Sequence, residues 1–284
     1  MFDALKLMRI PFSIFLMPVF WFSLSNLESP NVLKGLHLFL MIHLFVYPAS
    51  NGYNSYFDRD EGSIGGLESP PKVNSYLFPM VVAFDLIAIL YAAWIRPELA
   101  VWIGLYLLVS KAYSYDKIRL KRRAITSTLV VTFFQGCFMF LATLYGMGLS
   151  YEALLSAKHL LPAFCSSLFL LGSYPLTQIY QHQEDAQRGD RTLSLKLGIK
   201  GTFQFSRVFF GLGAIVLISH YLLEEEKAHV LIFLLFGLPI LFYFENWAKR
   251  CRQKAEFANY KNAMRMNQIS SLSLSAAFIF MIFY

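Results

Sequence analysis

Apolar residues occur in nine long runs along the chain, and short polar segments separate them. A helix needs on the order of 20 apolar residues to cross a bilayer, and each run approaches or exceeds that length. The fourth run is the least distinct, because only Arg96, Pro97 and Glu98 separate it from the third. The pattern predicts an all-α integral membrane protein that forms one polytopic domain, residues 1–284. The nine predicted spans are about 10–27, 35–57, 75–95, 98–115, 127–148, 159–181, 203–223, 228–247 and 266–284.

The composition supports a membrane protein and excludes several other classes. Hydrophobic residues make up 56% of the chain and charged residues 15%, whereas soluble domains are roughly 25% charged. The net charge of +7 is explained by basic loops between the spans, so it does not indicate nucleic-acid binding. The three cysteines have no paired spacing, which argues against a disulfide framework or a zinc site. The first apolar run has no small-residue cleavage site after it, and we interpret it as a retained span.

The distribution of basic residues predicts the orientation in the membrane. Lys34, Arg96, Lys158 and Lys227 each stand alone in one set of alternate loops, and nearly all other Lys and Arg residues lie in the other set. Cytoplasmic loops carry such an excess of basic residues. We therefore expect a cytoplasmic amino terminus, an outer carboxyl terminus, and cytoplasmic loops at about 58–74, 116–126, 182–202 and 248–265.

A repeated polar segment suggests that the chain contains two related halves. YPASNGYNSYFD, residues 47–58, is matched in order by YPLTQIYQHQED, residues 174–185. In each copy the polar residues recur at i, i+4, i+7 and i+11, which places them on one face of a helix. Repeats in membrane proteins commonly place a site between their two copies. The pattern predicts a parallel internal repeat in which spans two and six are equivalent. The two predicted stripes are Tyr47, Asn51, Asn54 and Asp58, and Tyr174, Gln178, Gln181 and Asp185.

The loop after span two carries the first candidate metal ligands. Asp58, Asp60 and Glu61 lie within four residues of one another, and carboxylate oxygens combined with substrate phosphate suit Mg²⁺. Lys72, beyond the flexible glycines, is positioned to fold back onto an anion. The alternative is a solvated acidic loop. The amides of the first stripe favour a site, because uncharged polar groups inside a span usually face a cavity.

The segment KAYSYDKIRLKRR after span four is strongly basic and predicts an anion site. Tyr113, Lys117 and Lys121 are spaced four residues apart, so a helix would present them on one face. Arg119 adds a further charge to the same segment. The alternative is a topology signal that attracts anionic lipid headgroups.

The loop after span six carries the most specific motif of the chain. It reads QHQEDAQRGDRTLSLKLG and contributes Glu184, Asp185 and Arg188. Together with the NxxxD motif of Asn54 and Asp58 and the YxxxK motif of Tyr113 and Lys117, this order of motifs resembles the UbiA superfamily of intramembrane prenyltransferases. The resemblance covers nearly the whole chain.

The resemblance implies a ring of helices around a central cavity, with Mg²⁺ between the two acidic motifs and an isoprenoid diphosphate as substrate. The implied activity is transfer of the isoprenoid chain from a polyprenyl diphosphate to a small aromatic or lipid acceptor. We expect catalytic roles for Asp58, Asp185, Lys117 and Tyr113. Expected metal ligands are Asp58, Asp60, Glu61, Glu184 and Asp185. Expected substrate-binding residues are Asn51, Asn54, Lys72, Arg119, Lys121, Gln178, Gln181 and Arg188.

Departures from the family pattern leave other functions open. Ser55, Gly62 and Gln181 stand where the family usually has aspartate, which lowers the charge available to hold two metal ions. An isoprenoid cyclase, a lipid-elongating member of the same fold, and a catalytically silent isoprenoid-binding or carrier protein are the alternatives.

Two further charged residues have open interpretations. Arg9, just before the first span, either reaches the cytoplasmic mouth of the cavity or acts as a topology signal. Asp85, near the middle of span three, either makes an interhelical contact or binds the acceptor.

Overall fold

The computed structural model describes all of residues 1–284 as helices and the loops and turns that connect them, without a β-strand. We number the nine main helices in chain order. They are α1 (Phe2–Ser25), α2 (Val32–Asp58), α3 (Leu77–Ile95), α4 (Leu99–Ser114), α5 (Ala124–Met147), α6 (Ala157–Thr177), α7 (Leu193–Leu223), α8 (Lys227–Gln253) and α9 (Tyr260–Phe283).

Eight of these helices are long and apolar enough to cross a membrane, which makes the chain an integral multi-pass membrane protein. The exception is α4, whose 16 residues rise about 24 Å, less than the roughly 30 Å hydrocarbon core of a bilayer. The predicted count of nine spans is therefore not confirmed. The orientation of the termini stays a prediction.

The helices pack mainly against their neighbours in the chain, and the last helix returns to the first. Helix α2 contacts α3, α3 contacts α4, α6 contacts α7 and α8 contacts α9. The carboxyl-terminal half of α1, Met17–Ser25, packs against both α5 and α9. At that junction Phe22 stacks on Phe278 at 4.4 Å and meets Phe140 edge-on at 5.2 Å. In a bilayer such close packing, rather than expulsion of water, holds helices together.

Irregular turns occur in four of the helices. Arg9 breaks α1 with a φ of 50°, and α2 contains a π-helical turn at Met41–Val46. Helix α5 contains a second π-helical turn at Phe134–Phe138, and α6 ends in the 3₁₀ turn Tyr174–Thr177. Such irregular turns inside helices frequently occur at functional sites.

The π-helical turn of α5 has an identifiable cause in the neighbouring helix. The hydroxyl of Ser167, on α6, donates to the carbonyl of Thr132 at 3.0 Å and accepts from the backbone N–H of Cys137 at 2.9 Å. Insertion of a side chain into the backbone ladder is a recognised cause of helix distortion. Gly136 makes the approach possible, because a Cβ there would lie 2.7 Å from the backbone nitrogen of Ser167.

A charged pair joins α3 to α4 inside the apolar region. Lys111 donates to Asp85 at 2.8 Å, and the ammonium group lies 5.1 Å from the centre of the Tyr53 ring. Of the two interpretations of Asp85, the structure favours the interhelical contact.

Candidate active site

A cavity of about 210 Å³ opens between α1, α2, α4, α5 and α6, beneath the loops that follow α2 and α6. It brings together most of the residues selected from the sequence. The predicted site residues that line it are Asn51, Asn54, Asp58, Asp60, Tyr113, Lys121, Gln178, Gln181 and Asp185.

The first polar stripe forms on α2 as predicted. The helix continues to Asp58 and ends there, because Arg59 adopts a left-handed backbone conformation with φ 47°. Asn54 donates to a carboxylate oxygen of Asp58 at 2.6 Å and to the hydroxyl of Ser114 at 2.8 Å. Asp58 is buried, and these contacts hold its carboxylate toward the cavity.

Arg9 is a site residue that the sequence left undecided. Its guanidinium is buried and donates to the carbonyls of Asn51 and Gly65 and to the amide oxygen of Asn54. Its Nε is buried without a partner. The break in α1 directs this side chain into the cavity, so the structure favours the interpretation that Arg9 belongs to the site. Pro11, which follows the break, was the available sequence signal.

A buried network of four charges stands at the mouth of the cavity. Lys121 places its ammonium nitrogen 2.6 Å from Asp58 and 3.0 Å from Asp190, and Arg119 makes two hydrogen bonds of 3.1 Å to Asp190. Burial opposes ionisation of Asp190, but the bonds from Arg119 and the charge of Lys121 outweigh it and lower the pKa of that carboxyl. Burial likewise opposes the charge of Lys121, but Asp58 and Asp190 raise its pKa overall. Asp190 was missed as a site residue, since its only sequence signal was its place in the GDRT motif.

The predicted helical face of Tyr113, Lys117 and Lys121 is wrong. Helix α4 ends at Ser114, because Tyr115 is extended with a ψ of 124°, and the basic segment continues as turns. Lys117 is exposed and does not line the cavity. Tyr113, still on α4, reaches the cavity, and its hydroxyl lies 2.7 Å from that of Tyr174 on α6.

The second copy of the repeat does not form the predicted helical stripe. Tyr174–Thr177 is a 3₁₀ turn, the chain then makes a further turn, and a short helix begins only at His182. The backbone N–H of Gln178 donates to the carbonyl of Pro175, and the backbone N–H of Gln181 donates to the carbonyl of Gln178. Each bond spans three residues, whereas an α-helical bond spans four. The side chains still converge on the cavity, with Gln178 accepting from the backbone of Ser194.

Asp185 enters the cavity from the short helix His182–Arg188. One of its carboxylate oxygens accepts from the hydroxyl of Thr192 at 2.9 Å. Burial, with further contributions from the negative charges of Asp190 and Asp60, raises the pKa of this carboxyl to about 6. The site therefore holds a carboxylate whose charge the protein neutralises incompletely.

Arg188 joins the two loops that cover the mouth. Its guanidinium forms ion pairs with Asp60 and with Glu184, the latter at 2.9 Å, and also donates to the carbonyl of Arg59. Glu184 in turn accepts from the backbone N–H of Glu61 at 3.2 Å. The guanidinium thus takes the place that the sequence assigned to a metal ion among the loop carboxylates.

Lys72 and Glu61 do not belong to the site. Both are exposed, and neither lines the cavity. Lys72 lies where the chain after the glycines continues toward α3, and it does not fold back onto the site.

The carboxylates of the cavity decide how a magnesium ion could be held. No group of three or more His, Cys, Asp or Glu side chains converges to hold a metal with protein ligands alone. Apart from the Lys121 ammonium group, one buried oxygen of Asp58 has no partner, and Asp185 carries an incompletely neutralised charge. One carboxylate from each half of the chain fits a single Mg²⁺ that takes its other ligands from phosphate and water.

A second cavity, of about 410 Å³, lies next to the first and is mainly apolar. Phe15, Phe22, Phe169 and Phe210 contribute to its walls. Phe15 follows Phe12 of the first cavity by one turn, and the two rings meet edge-on at 5.1 Å. The polar cavity therefore adjoins a space suited to hydrocarbon.

The sequence profile described as the UbiA prenyltransferase family matches residues 15–269. No curated protein matches the sequence significantly.

Several solved structures share the fold. A UbiA homologue from Archaeoglobus fulgidus, solved with GPP and Mg²⁺, aligns with a TM-score of 0.71 at 16% identity, covering 99% of this chain and 100% of that one. The apo structure of a UbiA homologue from Aeropyrum pernix K1 aligns with a TM-score of 0.72 at 15% identity, covering 95% of this chain and 98% of that one. A digeranylgeranylglyceryl phosphate synthase aligns with a TM-score of 0.61 at 18% identity, covering 99% of this chain and 98% of that one. At these identities the structural likeness shows the fold alone.

Proposed function

The chain belongs to the UbiA prenyltransferase family, and we propose that it transfers an isoprenoid chain from a polyprenyl diphosphate to a small acceptor within the membrane, with Mg²⁺ as cofactor. The observation that carries the proposal is the convergence of Asp58, Asp185, Arg9 and Lys121 on one cavity beside an apolar space. This combination suits a substrate with an anionic head and a hydrocarbon tail.

The diphosphate group is the part of the substrate that the mouth of the cavity would bind. Arg9 and Lys121 are buried cations that line it, and the unpartnered Nε–H of Arg9 supplies a free donor. Asn54, which also donates to the hydroxyl of Ser114, holds Asp58 in place beside them. Hydrogen bonds to charged oxygens in a buried site are stronger than those in water, which favours binding of the anion here.

The chemistry required is cleavage of the bond between the allylic carbon and the diphosphate oxygen, with a new bond from that carbon to the acceptor and loss of one acceptor proton. Negative charge grows on the leaving diphosphate, so fixed cations stabilise the transition state more than the ground state. Bound Mg²⁺, held by Asp58 and Asp185, would add Lewis-acid stabilisation of that leaving group. Tyr113 and Tyr174 pair their hydroxyls next to the mouth and limit the entry of water to the reacting carbon.

The hydrocarbon tail would occupy the apolar cavity. That cavity is about twice the volume of the polar one and is walled mainly by aromatic and aliphatic side chains. Placing the tail there keeps apolar surface out of the polar site, where it would leave buried hydrogen-bonding groups without partners.

The test is turnover of a labelled allylic diphosphate by purified protein in lipid nanodiscs. We expect magnesium-dependent release of diphosphate and a product whose mass equals acceptor plus isoprenoid. Product formed by rearrangement of the isoprenoid alone would indicate the cyclase alternative. Binding without any release, at all magnesium concentrations and with a panel of acceptors, would contradict the proposal and favour a silent binding protein.

The two acids supply the matched variants for this test. Asp58→Asn and Asp185→Asn should each remove most magnesium-dependent turnover, and the double variant should cost little more than either single one, as expected for groups that act as a unit. Binding of the diphosphate without Mg²⁺ should survive, because Arg9 and Lys121 remain. Glu225→Gln, in the loop between α7 and α8, is the control. Unchanged magnesium dependence in both single variants would contradict a shared metal site.

A further inference from the structure

The deep end of the polar cavity differs in chemistry from its mouth. Its charged lining residues are all placed around the mouth: Arg9, Asp58, Asp60, Lys121 and Asp185. The deep end is lined instead by uncharged hydrogen-bonding side chains, which are Ser50, Tyr106, Ser110 and Gln135. We call these four residues the floor of the cavity.

The helix contacts fix the depth of the floor. Ser114 bonds to Asn54 at the mouth, and Tyr106 precedes Ser114 by eight residues on α4, which is about 12 Å along the helix. The ring of Tyr106 lies 5.9 Å from that of Tyr47, seven residues before Asn54 on α2. The spacing along α4 and the spacing along α2 therefore both place Tyr106 about two helical turns deeper than the charged network.

Gln135 is held at the floor by the distortion of α5. It belongs to the π-helical turn Phe134–Phe138, whose register is set by the hydroxyl of Ser167. Tyr106 is buried, and it lines the cavity together with Gln135 and Ser50. Because an amide has two donors and two acceptors, Gln135 offers several hydrogen-bonding positions to a ligand.

Resting on the proposed function, we infer that the floor is the acceptor subsite and that it selects an uncharged molecule carrying hydroxyl groups. A prenyl tail is unsuited to the floor, since it would bury four hydrogen-bonding groups without partners. A carboxylate acceptor is equally unsuited, because no Lys, Arg or His side chain lines the floor to pair with it. Val130, Val131 and Phe134 form apolar walls above it, so an acceptor with an apolar ring and hydroxyl groups fits both surfaces.

The test compares two probes that differ in one group. 4-Hydroxybenzyl alcohol and 4-hydroxybenzoate share a phenol ring, but the first is neutral and the second carries a carboxylate at pH 7.5. Binding to purified protein in nanodiscs is measured by calorimetry, with and without saturating prenyl diphosphate. We expect the neutral probe to bind at least tenfold more tightly. Equal affinity, or tighter binding of the carboxylate, would overturn the inference.

Variants of Gln135 connect the preference to the floor. Gln135→Met keeps the side-chain volume but removes the amide. It should weaken binding of the neutral probe several-fold and should not strengthen binding of the carboxylate probe. Gln135→Arg adds the missing cation and should reverse the preference. Phe133→Leu, on the same helix but directed outward and half exposed, is the matched control and should change neither affinity. If Gln135→Met binds both probes as the unaltered protein does, the floor is not the subsite.

The same measurements separate this inference from the proposed function. Failure to bind or turn over prenyl diphosphate, with the neutral preference intact, would contradict the prenyl-transfer proposal alone. Turnover of the diphosphate with preference for the carboxylate acceptor would contradict the subsite alone.

Discussion

Lys121 and Asp58 form a buried ion pair with 2.6 Å between the ammonium nitrogen and a carboxylate oxygen. Both side chains are more than nine-tenths buried, and they come from a loop and from the end of α2. The pair places one cation directly beside an acid that we propose as a metal ligand, so it would couple the proposed diphosphate-binding and metal-binding parts of the site.

The first prediction concerns this cation. Lys121→Met should weaken binding of a prenyl diphosphate at least tenfold, because it removes a buried positive charge and leaves Asp58 and Asp190 without it. The corresponding prenyl alcohol should bind with nearly unchanged affinity. Lys117→Met is the matched control. Lys117 precedes Lys121 by four residues and is exposed, so its replacement should change the affinity for neither ligand. A larger loss in Lys117→Met than in Lys121→Met would contradict the position of the anion site.

The second prediction is the pH dependence of magnesium binding. Burial raises the pKa of Asp185 to about 6, so its carboxyl takes up a proton as the pH falls below that value. Mg²⁺ requires the ionised form, and its affinity in the presence of diphosphate should therefore fall by up to about tenfold per pH unit below pH 6 and be flat above it. Titration of Mg²⁺ between pH 5 and 8 measures this.

The same shift predicts an effect on stability. An acid with a raised pKa in the folded state binds its proton more tightly there than in the unfolded chain. Without Mg²⁺, the free energy of unfolding should thus decrease as the pH rises from about 4 to 6. Asp185→Asn should remove both effects and raise the melting temperature of the magnesium-free protein at pH 7.5, whereas Asp3→Asn, at the exposed amino terminus, should not.

The third prediction restores an acid that the family usually has. Gln181→Asp places a fourth carboxylate in the cavity, in addition to Asp58, Asp60 and Asp185, so half-saturation by Mg²⁺ should occur at a several-fold lower concentration. It also removes the bond from Gln181 to the carbonyl of Ser63, so the magnesium-free protein should melt at a lower temperature. Gln183→Asp, two residues later and exposed, is the control. Equal effects in the two variants would mean that general charge, and not a ligand position, is responsible.

The fourth prediction concerns the packing that shapes the π-helical turn. Gly136→Ala should destabilise the protein by about 1–3 kcal/mol, because the new Cβ would lie 2.7 Å from the backbone of Ser167. Gly104→Ala on α4 is the control, since no atom lies within 4 Å of a Cβ there. Thermal denaturation in detergent compares the two. If Gly136→Ala is as stable as Gly104→Ala, the close contact does not constrain the turn.

The fifth prediction is the orientation in the membrane. A reporter fused after Lys121 should be cytoplasmic, and one fused at Glu225 should be outside, because the basic loops mark the cytoplasmic side. Opposite results at both positions would invert the whole arrangement and place the site at the outer surface.

The sequence predicted the parts of the site that depend on regular helix geometry. The spacing of Asn51, Asn54 and Asp58 predicted their shared face, and α2 remains helical through all three. The same spacing was wrong for the second copy, because the chain adopts the tighter 3₁₀ hydrogen bonding from Tyr174 onward. The repeated sequence thus identified polar residues in both segments that line one cavity, but it predicted the local structure of only one segment.

The errors at the mouth of the cavity come from positions where helices end. Lys117 and Lys121 are equivalent in a continuous helix, and only the termination of α4 at Ser114 makes one exposed and the other buried. Arg9 enters the site because its own backbone adopts a positive φ, which breaks α1 at this residue. Such turns depend on tertiary contacts, which spacing along the chain does not report.

The ion pairs across the mouth also constrain how the protein is made. Arg188 pairs with Asp60 across 128 residues, and Arg119 with Asp190 across 71. Asp60 is therefore synthesised 128 residues before Arg188, and Arg119 is synthesised 71 residues before Asp190. Until the loop after α6 is made, both side chains lack the partners that they have in the folded protein. Completion of the ion pairs across the mouth is thus a late event of membrane biogenesis, and a chain truncated before α6 would lack them.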